Sequence, residues 1–383
     1  MRNLNLIALA AIATLLLAGC AGTTPGASNA NTSAASTGSS NPNHVSSPYA
    51  APSSSTAVYG SGATFPKPLL ESWAIQFAKV ESKVQVSYGG GGSGKGIKDI
   101  QNKDVVFGGT DAPMSVAEKA APNTNGANVL QFPETIGLIG VVYNVAGLPD
   151  GIQLDGETLG KIYSGEIKNW KDTGVSGAPD AQIAIVYRSD SSGTTFVFTD
   201  FLAKTSSTFA SKITSAASKK PDWTKSSAAQ LSGNGNDGVG STVKSTPNSI
   251  GYVELAYVQA LGLKAAKVKS HDGAYLAPST AGAAAAASGF ANSLPAPAGD
   301  WSQISIVNAP GATSYPISSF TYIMVYDQLA SYGSKATADQ MAGFKAWMWW
   351  CLHDGQAYSE SLGYAPLPEP VVKIGETGLG LIH

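Results

Sequence analysis

The chain has little cysteine, little histidine and almost no imbalance of charge. Two cysteines among 383 residues exclude a disulfide-stapled scaffold. Four histidines, His44, His271, His353 and His383, stand far apart with no metal-ligand spacing among them. A formal net charge of −2 supplies neither the basic excess that a nucleic-acid backbone demands nor an acidic block for a basic partner. No metal, cofactor or nucleic-acid partner is therefore expected. The longest N-terminal apolar run, Leu4 to Ala18, is shorter than the ~20 residues a membrane span needs.

That run follows Arg2 and ends in Leu17-Ala18-Gly19-Cys20, small residues set before a cysteine. It reads as an export signal, and its end resembles the bacterial lipoprotein signal, in which Cys20 becomes the lipidated first residue. From Ala21 to residue 58 no Lys, Arg, Asp or Glu occurs. Such a segment cannot build a core and is expected to be a disordered tether, reaching ~30 to 40 Å on average. With Cys20 lipidated, no internal disulfide remains. Cys351, inside Trp347-Met348-Trp349-Trp350-Cys351-Leu352, is expected as a buried small hydrophobe on a helix starting near Thr337.

What is abundant is glycine, 43 residues, with 21 prolines, a composition that favours a loop-rich α/β protein over a helical bundle. The length exceeds the ~250 to 300 residues at which single cores stop growing, so two lobes are expected. Leu69, Leu70, Trp73 and Phe77 recur at helical spacing after Pro66. Val84, Val86 and Tyr88 alternate as a strand leading into Gly89 to Gly92, and Ser93 falls at the next helix start. Val105-Val106-Phe107 reads as a strand ending at Gly108-Gly109-Thr110-Asp111-Ala112-Pro113, and Ser115 with Glu118 makes a capping box. Ile183 to Tyr187 is a further strand, followed by the polar turn Arg188 to Thr195 and an apolar helix start. Several strand-to-helix turns of this kind present unpaired backbone N–H groups, and an anion site follows.

The glycine run raises a specific question. Gly89, Gly94 and Lys95 fit the spacing G-x-x-x-x-G-K of a nucleotide phosphate loop, but Gly96 stands where the magnesium-binding Ser or Thr belongs. The stretch is then either a flexible turn or a cradle for phosphate without hydrolysis.

Taken in order, Gly60-Ser61-Gly62-Ala63-Thr64-Phe65-Pro66, Phe107 to Pro113, Arg188 to Thr194 and Gly233-Asn234-Gly235-Asn236-Asp237-Gly238 resemble the phosphate-specific binding proteins of bacterial phosphate ABC importers. Leu159 to Gly165, Ile250 to Glu254 and Leu362 to Pro368 continue the resemblance to the C-terminal region. It implies a type II periplasmic-binding-protein fold: two α/β lobes joined by a hinge, residues 59–136 with 317–383 forming lobe 1 and 137–316 forming lobe 2. It also implies high-affinity capture of inorganic phosphate outside the cytoplasmic membrane and delivery to a membrane permease powered by an ATPase. The protein would be a lipid-anchored monomer of the cell envelope and not an enzyme.

The resemblance assigns phosphate contacts to Thr64, Phe65, Ser93, Asp111, Arg188, Ser192, Gly193 and Thr194, with Asp190 orienting Arg188. Asp111 would accept a hydrogen bond from a protonated phosphate oxygen, so phosphate should be preferred to sulfate, which has no proton to give. On its own, Asp111 reads more readily as a bracket for the turn before Pro113 than as a ligand contact. Two positions depart from the common pattern: Gly94-Lys95, where Lys95 either adds charge near the anion or points to solvent, and Ser191. Two rival functions stand beside transport. One is a phosphate-ester hydrolase using Ser192, and the other a surface interaction lipoprotein that has lost its ligand.

Overall fold

The computed structural model describes residues 44–120 and 128–383. The export signal, Cys20 and the first part of the tether lie outside the described residues.

Strand β1 (Thr56–Gly62) pairs in parallel with β2 (Val84–Gly89) and with β3 (Phe107–Thr110). The parallel arrangement demands crossover helices, and two supply them. Helix α1 (Lys67–Phe77) starts directly after Pro66 with Pro68 in its first turn, where a missing N–H costs nothing, and buries Leu69, Leu70, Trp73 and Phe77. Helix α2 (Ser93–Asn102) starts at the expected serine. The short α3 (Val116–Lys119) carries the expected capping box of Ser115 and Glu118.

Sixteen residues form β4 (Val129–Asn144), which changes partner along its length. The chain then runs through β5 (Gln153–Leu154), α4 (Gly156–Ser164), β6 (Ala184–Arg188), α5 (Gly193–Thr205), α6 (Ser207–Lys212) and β7 (Ala229–Gly233). There follow α7 (Gly235–Ser245), β8 (Ser249–Glu254), α8 (Leu255–Leu261), β9 (Lys264–Ala265), β10 (Lys267–Lys269), β11 (Tyr275–Leu276) and α9 (Thr280–Ser288). Strand β12 (Ser318–Tyr326) returns to the first half of the sheet before α10 (Ala338–Leu352) and α11 (Glu369–Gly380) close the chain.

The main sheet has the order β2-β1-β3-β12-β4-β8-β6-β7, with β9 against β4. Residues 129–138 of β4 pair antiparallel with β12, whereas Ile139 onward pairs with β8. Two α/β lobes thus share one long strand. Strands β1, β2 and β3 on one side and β6 and β7 on the other end at Gly62, Gly89, Thr110, Arg188 and Gly233, and the turns after them open helices. In open α/β sheets, ligands bind outside the carboxyl ends of such strands.

The expected tether of 21–58 is corrected at its end. Residues 44–54 are packed on the body. Tyr49 meets Trp349 edge-on at 5.9 Å with Lys345 over its ring at 4.3 Å, and the side chains of Ser53 and Ser54 donate to Asp339. The polar composition misled here because these serines bind a carboxylate on α10 instead of water. As expected, α10 begins after Thr337 and buries Met341, Phe344, Met348 and Cys351, whose thiol is pushed well up by burial.

Candidate functional site

Four helix starts meet. Gly94 of α2 donates its N–H to the Ser191 carbonyl (2.9 Å) just before α5, and Gly235 at the start of α7 donates to Asp190 (3.1 Å). Thr64, ahead of α1, receives the N–H (3.2 Å) and the side-chain amide (3.0 Å) of Asn236. Four helix N-termini therefore face one region, each with orphan N–H groups and partial positive charge.

Arg188, the last residue of β6, has its side chain 1% exposed. Its Nε and Nη2 grip Asp190 at 2.8 and 2.6 Å, and Nη1 donates to Thr194 Oγ1 at 3.0 Å. Those bonds occupy three of the five guanidinium N–H groups and hold the fork in one orientation, leaving two donors for a ligand. Burial raises the proton affinity of Asp190, but the bonds and charge of Arg188 outweigh it and hold the carboxyl below its ordinary range.

The hydroxyls share one property. Thr64 Oγ1 accepts from Asn236, and Thr194 Oγ1 accepts from Arg188 and from Asn236 Nδ2 (3.1 Å). Ser192 Oγ accepts from Thr195 N (3.0 Å) as the cap of α5, and Ser93 Oγ accepts from Asp111 N (3.1 Å). All four residues are at most 5% exposed. An oxygen whose lone pairs face protein donors has its proton left to give.

Asp111 follows β3 and is 1% exposed. Burial raises its pKa to about 7, against the lowering pull of Thr321, Arg188 and Ser93. Thr321 Oγ1 donates to Oδ1 at 3.0 Å, while the Ser93 hydroxyl lies 3.4 Å from Oδ2, a loose contact that leaves Oδ2 an acceptor. A Cβ at Gly193 would sit 2.5 Å from Asp111 Oδ2 and 2.7 Å from its Cβ, so only glycine lets α5 approach this carboxylate. Phe65 is fully buried, its carbonyl taking the Tyr364 hydroxyl at 2.7 Å.

The structure therefore brings together Thr64, Phe65, Ser93, Asp111, Arg188, Asp190, Ser192, Gly193 and Thr194. Asn236 was missed. It lies inside the glycine-rich motif Gly233 to Gly238, but only contact with Thr64, Thr194 and the Glu254 N–H (3.0 Å) reveals its bridging role. Tyr252 and Glu134 were missed as well. The Tyr252 hydroxyl accepts from Arg188 N at 3.3 Å behind the guanidinium.

The question of the glycine run is settled by packing. A Cβ at Gly96 would lie 2.8 Å from Gly62 Cα and 3.0 Å from the Ser61 carbonyl, so α2 rests directly on β1 and the magnesium-binding residue of a nucleotide loop has no room. Gly96→Ser is expected to lower stability by about 1 to 3 kcal/mol through overpacking, read as a reduced thermal midpoint. An unchanged midpoint would show that the helix can retreat. Lys95 pairs with Asp99 one turn along α2, its side chain 44% exposed, which places its charge outside the cluster.

Among the described residues no group of His, Cys, Asp and Glu could hold a metal, and no helix is long and apolar enough to cross a membrane. The histidines are engaged elsewhere: His44 with Asp354, His271 with Asp272, His353 with Glu376, and His383 with the Leu381 carbonyl.

Comparison with known proteins agrees with this geometry. Residues 47–350 match the PBP superfamily domain. The phosphate-binding protein PstS of Methanocaldococcus jannaschii is 32% identical over 334 residues, spanning 84% of this chain and 85% of that protein. That of Xylella fastidiosa is 33% identical over 344 residues, spanning 86% and 87%. Among solved structures, a high-affinity periplasmic phosphate-binding protein, PfluDING, superposes with a TM-score of 0.65 at 22% identity, over 83% of this chain and 92% of its own. The phosphate-binding protein from Stenotrophomonas maltophilia gives 0.60 at 21% identity, over 83% and 92%. The expected two-lobed periplasmic-binding fold is the fold of this chain.

Proposed function

Because the chain belongs to the PstS family of phosphate-binding proteins within the PBP superfamily, we propose that it captures inorganic phosphate outside the cytoplasmic membrane and hands it to an ABC-type importer. The observation that carries this reading is the set of buried hydroxyls at Thr64, Ser93, Ser192 and Thr194, each already accepting a bond from the protein. A dehydrated anion needs a donor for every lone pair it loses to burial. These four hydroxyls, the N–H groups of Phe65 and Gly193 and the two remaining Arg188 donors supply them. Asp111 is the one acceptor, matched to the proton that phosphate carries.

The lobes in this reading are 59–136 with 317–383, and 137–316, hinged where β4 exchanges β12 for β8. Closure brings Ser93 and Asp111 of one lobe against Ser192 and Gly193 of the other. Binding, not ester hydrolysis, is the task we assign to Ser192, whose oxygen caps α5. Export, lipidation of Cys20 and a monomeric state complete the proposal, with residues 44–54 strapping the anchor to lobe 1.

Native mass spectrometry of the purified chain, followed by calorimetric titration of phosphate-free protein, tests the reading. Bound orthophosphate and saturable heat are expected. A folded protein that gives no heat with phosphate at millimolar concentration overturns it.

Closure also sets a latch. Lys219 Nζ lies 2.5 Å from Glu118, the capping-box acid of α3, while the Lys219 carbonyl accepts the Ser192 N–H at 2.9 Å. The pair is about a quarter exposed and spans the two proposed lobes. Coupling of ~0.2 to 1 kcal/mol is expected for such a pair. Stopped-flow measurement should find phosphate leaving Lys219→Ala about 1.4- to 5-fold faster, with the same rate in the double variant Glu118→Ala/Lys219→Ala. Additive rates would mean that the pair is no latch.

A further inference from the structure

Behind Asp111 lies a second buried carboxyl that the phosphate site does not use. Glu134 is fully buried, and its Oε1 sits 3.2 Å from Thr321 Oγ1, the same hydroxyl that lies 3.0 Å from Asp111 Oδ1. Its Oε2 has no hydrogen-bond partner among the described residues. The backbone puts it there: the β4–β12 register pairs Thr321 with Thr135 and Tyr322 with Pro133, so Glu134 is the extra residue of a β-bulge. Bulges re-aim a side chain, and this one aims a carboxyl at the back of the site.

A threonine hydroxyl has one proton. It cannot donate to both carboxyls, so the second short contact is a hydrogen bond only if one carboxyl brings a proton of its own. Asp111 has the Ser93 hydroxyl nearby and the charge of Arg188 acting on it. Glu134 has only Thr321 and its own backbone N–H, and no cation. We propose that Glu134 is a specificity-positioning residue: it stays protonated and donates to Thr321, committing the Thr321 proton to Asp111 and keeping Asp111 an ionised acceptor for the hydroxyl of protonated phosphate. The proposal rests on the phosphate-binding reading above.

The surroundings agree. Burial first, then the charge of Asp111, pushes the Glu134 pKa well up, and none of the groups acting on it is a cation. Facing it are Asp111 after β3, Tyr88 of β2, Tyr322 of β12 and Cys351 of α10. Burial raises the proton affinity of the two phenols and the thiol, so they add no charge at neutral pH.

Infrared difference spectroscopy of the ligand-free protein provides a test that does not need phosphate to bind. A carboxylic-acid C=O band that is still present at neutral pH and vanishes in Glu134→Gln is expected; absence of such a band overturns the proposal. Sulfate, which does not titrate near neutrality, reports on the site itself. Glu134→Leu frees the Thr321 proton to turn away, so sulfate affinity at about pH 7 should rise roughly tenfold, the equivalent of one pKa unit at Asp111. Glu134→Gln, with an amide donor in place of the acid, should rescue sulfate rejection to within twofold. Sulfate rejection tightened tenfold or more by Glu134→Gln would mean that Glu134 carries a charge, and would overturn the proposal. If wild-type protein binds neither anion, the functional reading fails while the infrared result still decides the state of Glu134.

Discussion

Replacing Asp111 by Asn is expected to erase most of the preference for phosphate over sulfate. In the proposed open state, where water reaches it, Asp111 is expected to return towards the ordinary carboxyl value of ~3.9. Inside the closed site its pKa is raised to about 7, chiefly by burial. A sulfate complex must close around two unprotonated groups, or else Asp111 must take up a proton. At pH 7 that uptake costs roughly a thousandfold in affinity, about three pKa units. Phosphate brings the proton with it. The sign follows: as pH falls from 7 towards 5, wild-type sulfate affinity should rise about tenfold per unit, because protons increasingly occupy Asp111. In Asp111→Asn the amide donates at every pH, so sulfate should bind roughly 10²- to 10³-fold tighter than to wild type at pH 7, with a flat pH profile. Competition calorimetry of the two anions would decide, and sulfate rejection that survives the substitution removes Asp111 from the selective role. The same raised pKa makes the folded chain bind more protons than the unfolded one. Its contribution to stability is therefore greatest below the ordinary carboxyl value and is lost as pH rises through about 7.

Loss of the guanidinium in Arg188→Ala should weaken phosphate binding more than any other single truncation of the site. Its side chain is 1% exposed and it organises two neighbours, Asp190 through two bonds and Thr194 through one. Removing one member of a buried, hydrogen-bonded charge set costs about 2 to 5 kcal/mol. That corresponds to roughly a 30-fold to several-thousand-fold rise in phosphate Kd. Much of the loss comes from Asp190, left buried as an anion facing another anion. The double variant Arg188→Ala/Asp190→Ala should therefore fold more stably than Arg188→Ala alone. Arg188→Lys should recover only part of the affinity, because a single ammonium cannot grip Asp190, Thr194 and a phosphate in one plane. Full affinity in Arg188→Ala would show that the neutral donors suffice alone.

Much of the architecture was readable locally. The capping box at Ser115, the helix starts at Ser93 and near Thr337, the polar turn that opens α5 and the alternation of Val84, Val86 and Tyr88 stand where the structure places them. Residues 44–54 were read as free because serine, threonine and alanine bear no sign of a distant carboxylate. Asn236 was visible only as part of a glycine-rich run. Glu134 was hidden further, since a bulge depends on how a strand is paired and not on the residues within it.

The sequence by itself determined where strands end and helices begin and which turns carry donors, because such preferences act over a few residues. Tertiary structure alone decided that Thr64 meets Asn236 across 172 positions, that Gly96 lies against β1, and that Glu134 reaches Thr321 across 187. Those contacts arise when a helix is laid on a strand and a strand is paired with a distant one, so their geometry is set by packing over the whole chain. The donor types belong to the local order of residues; the direction in which each proton points belongs to the fold.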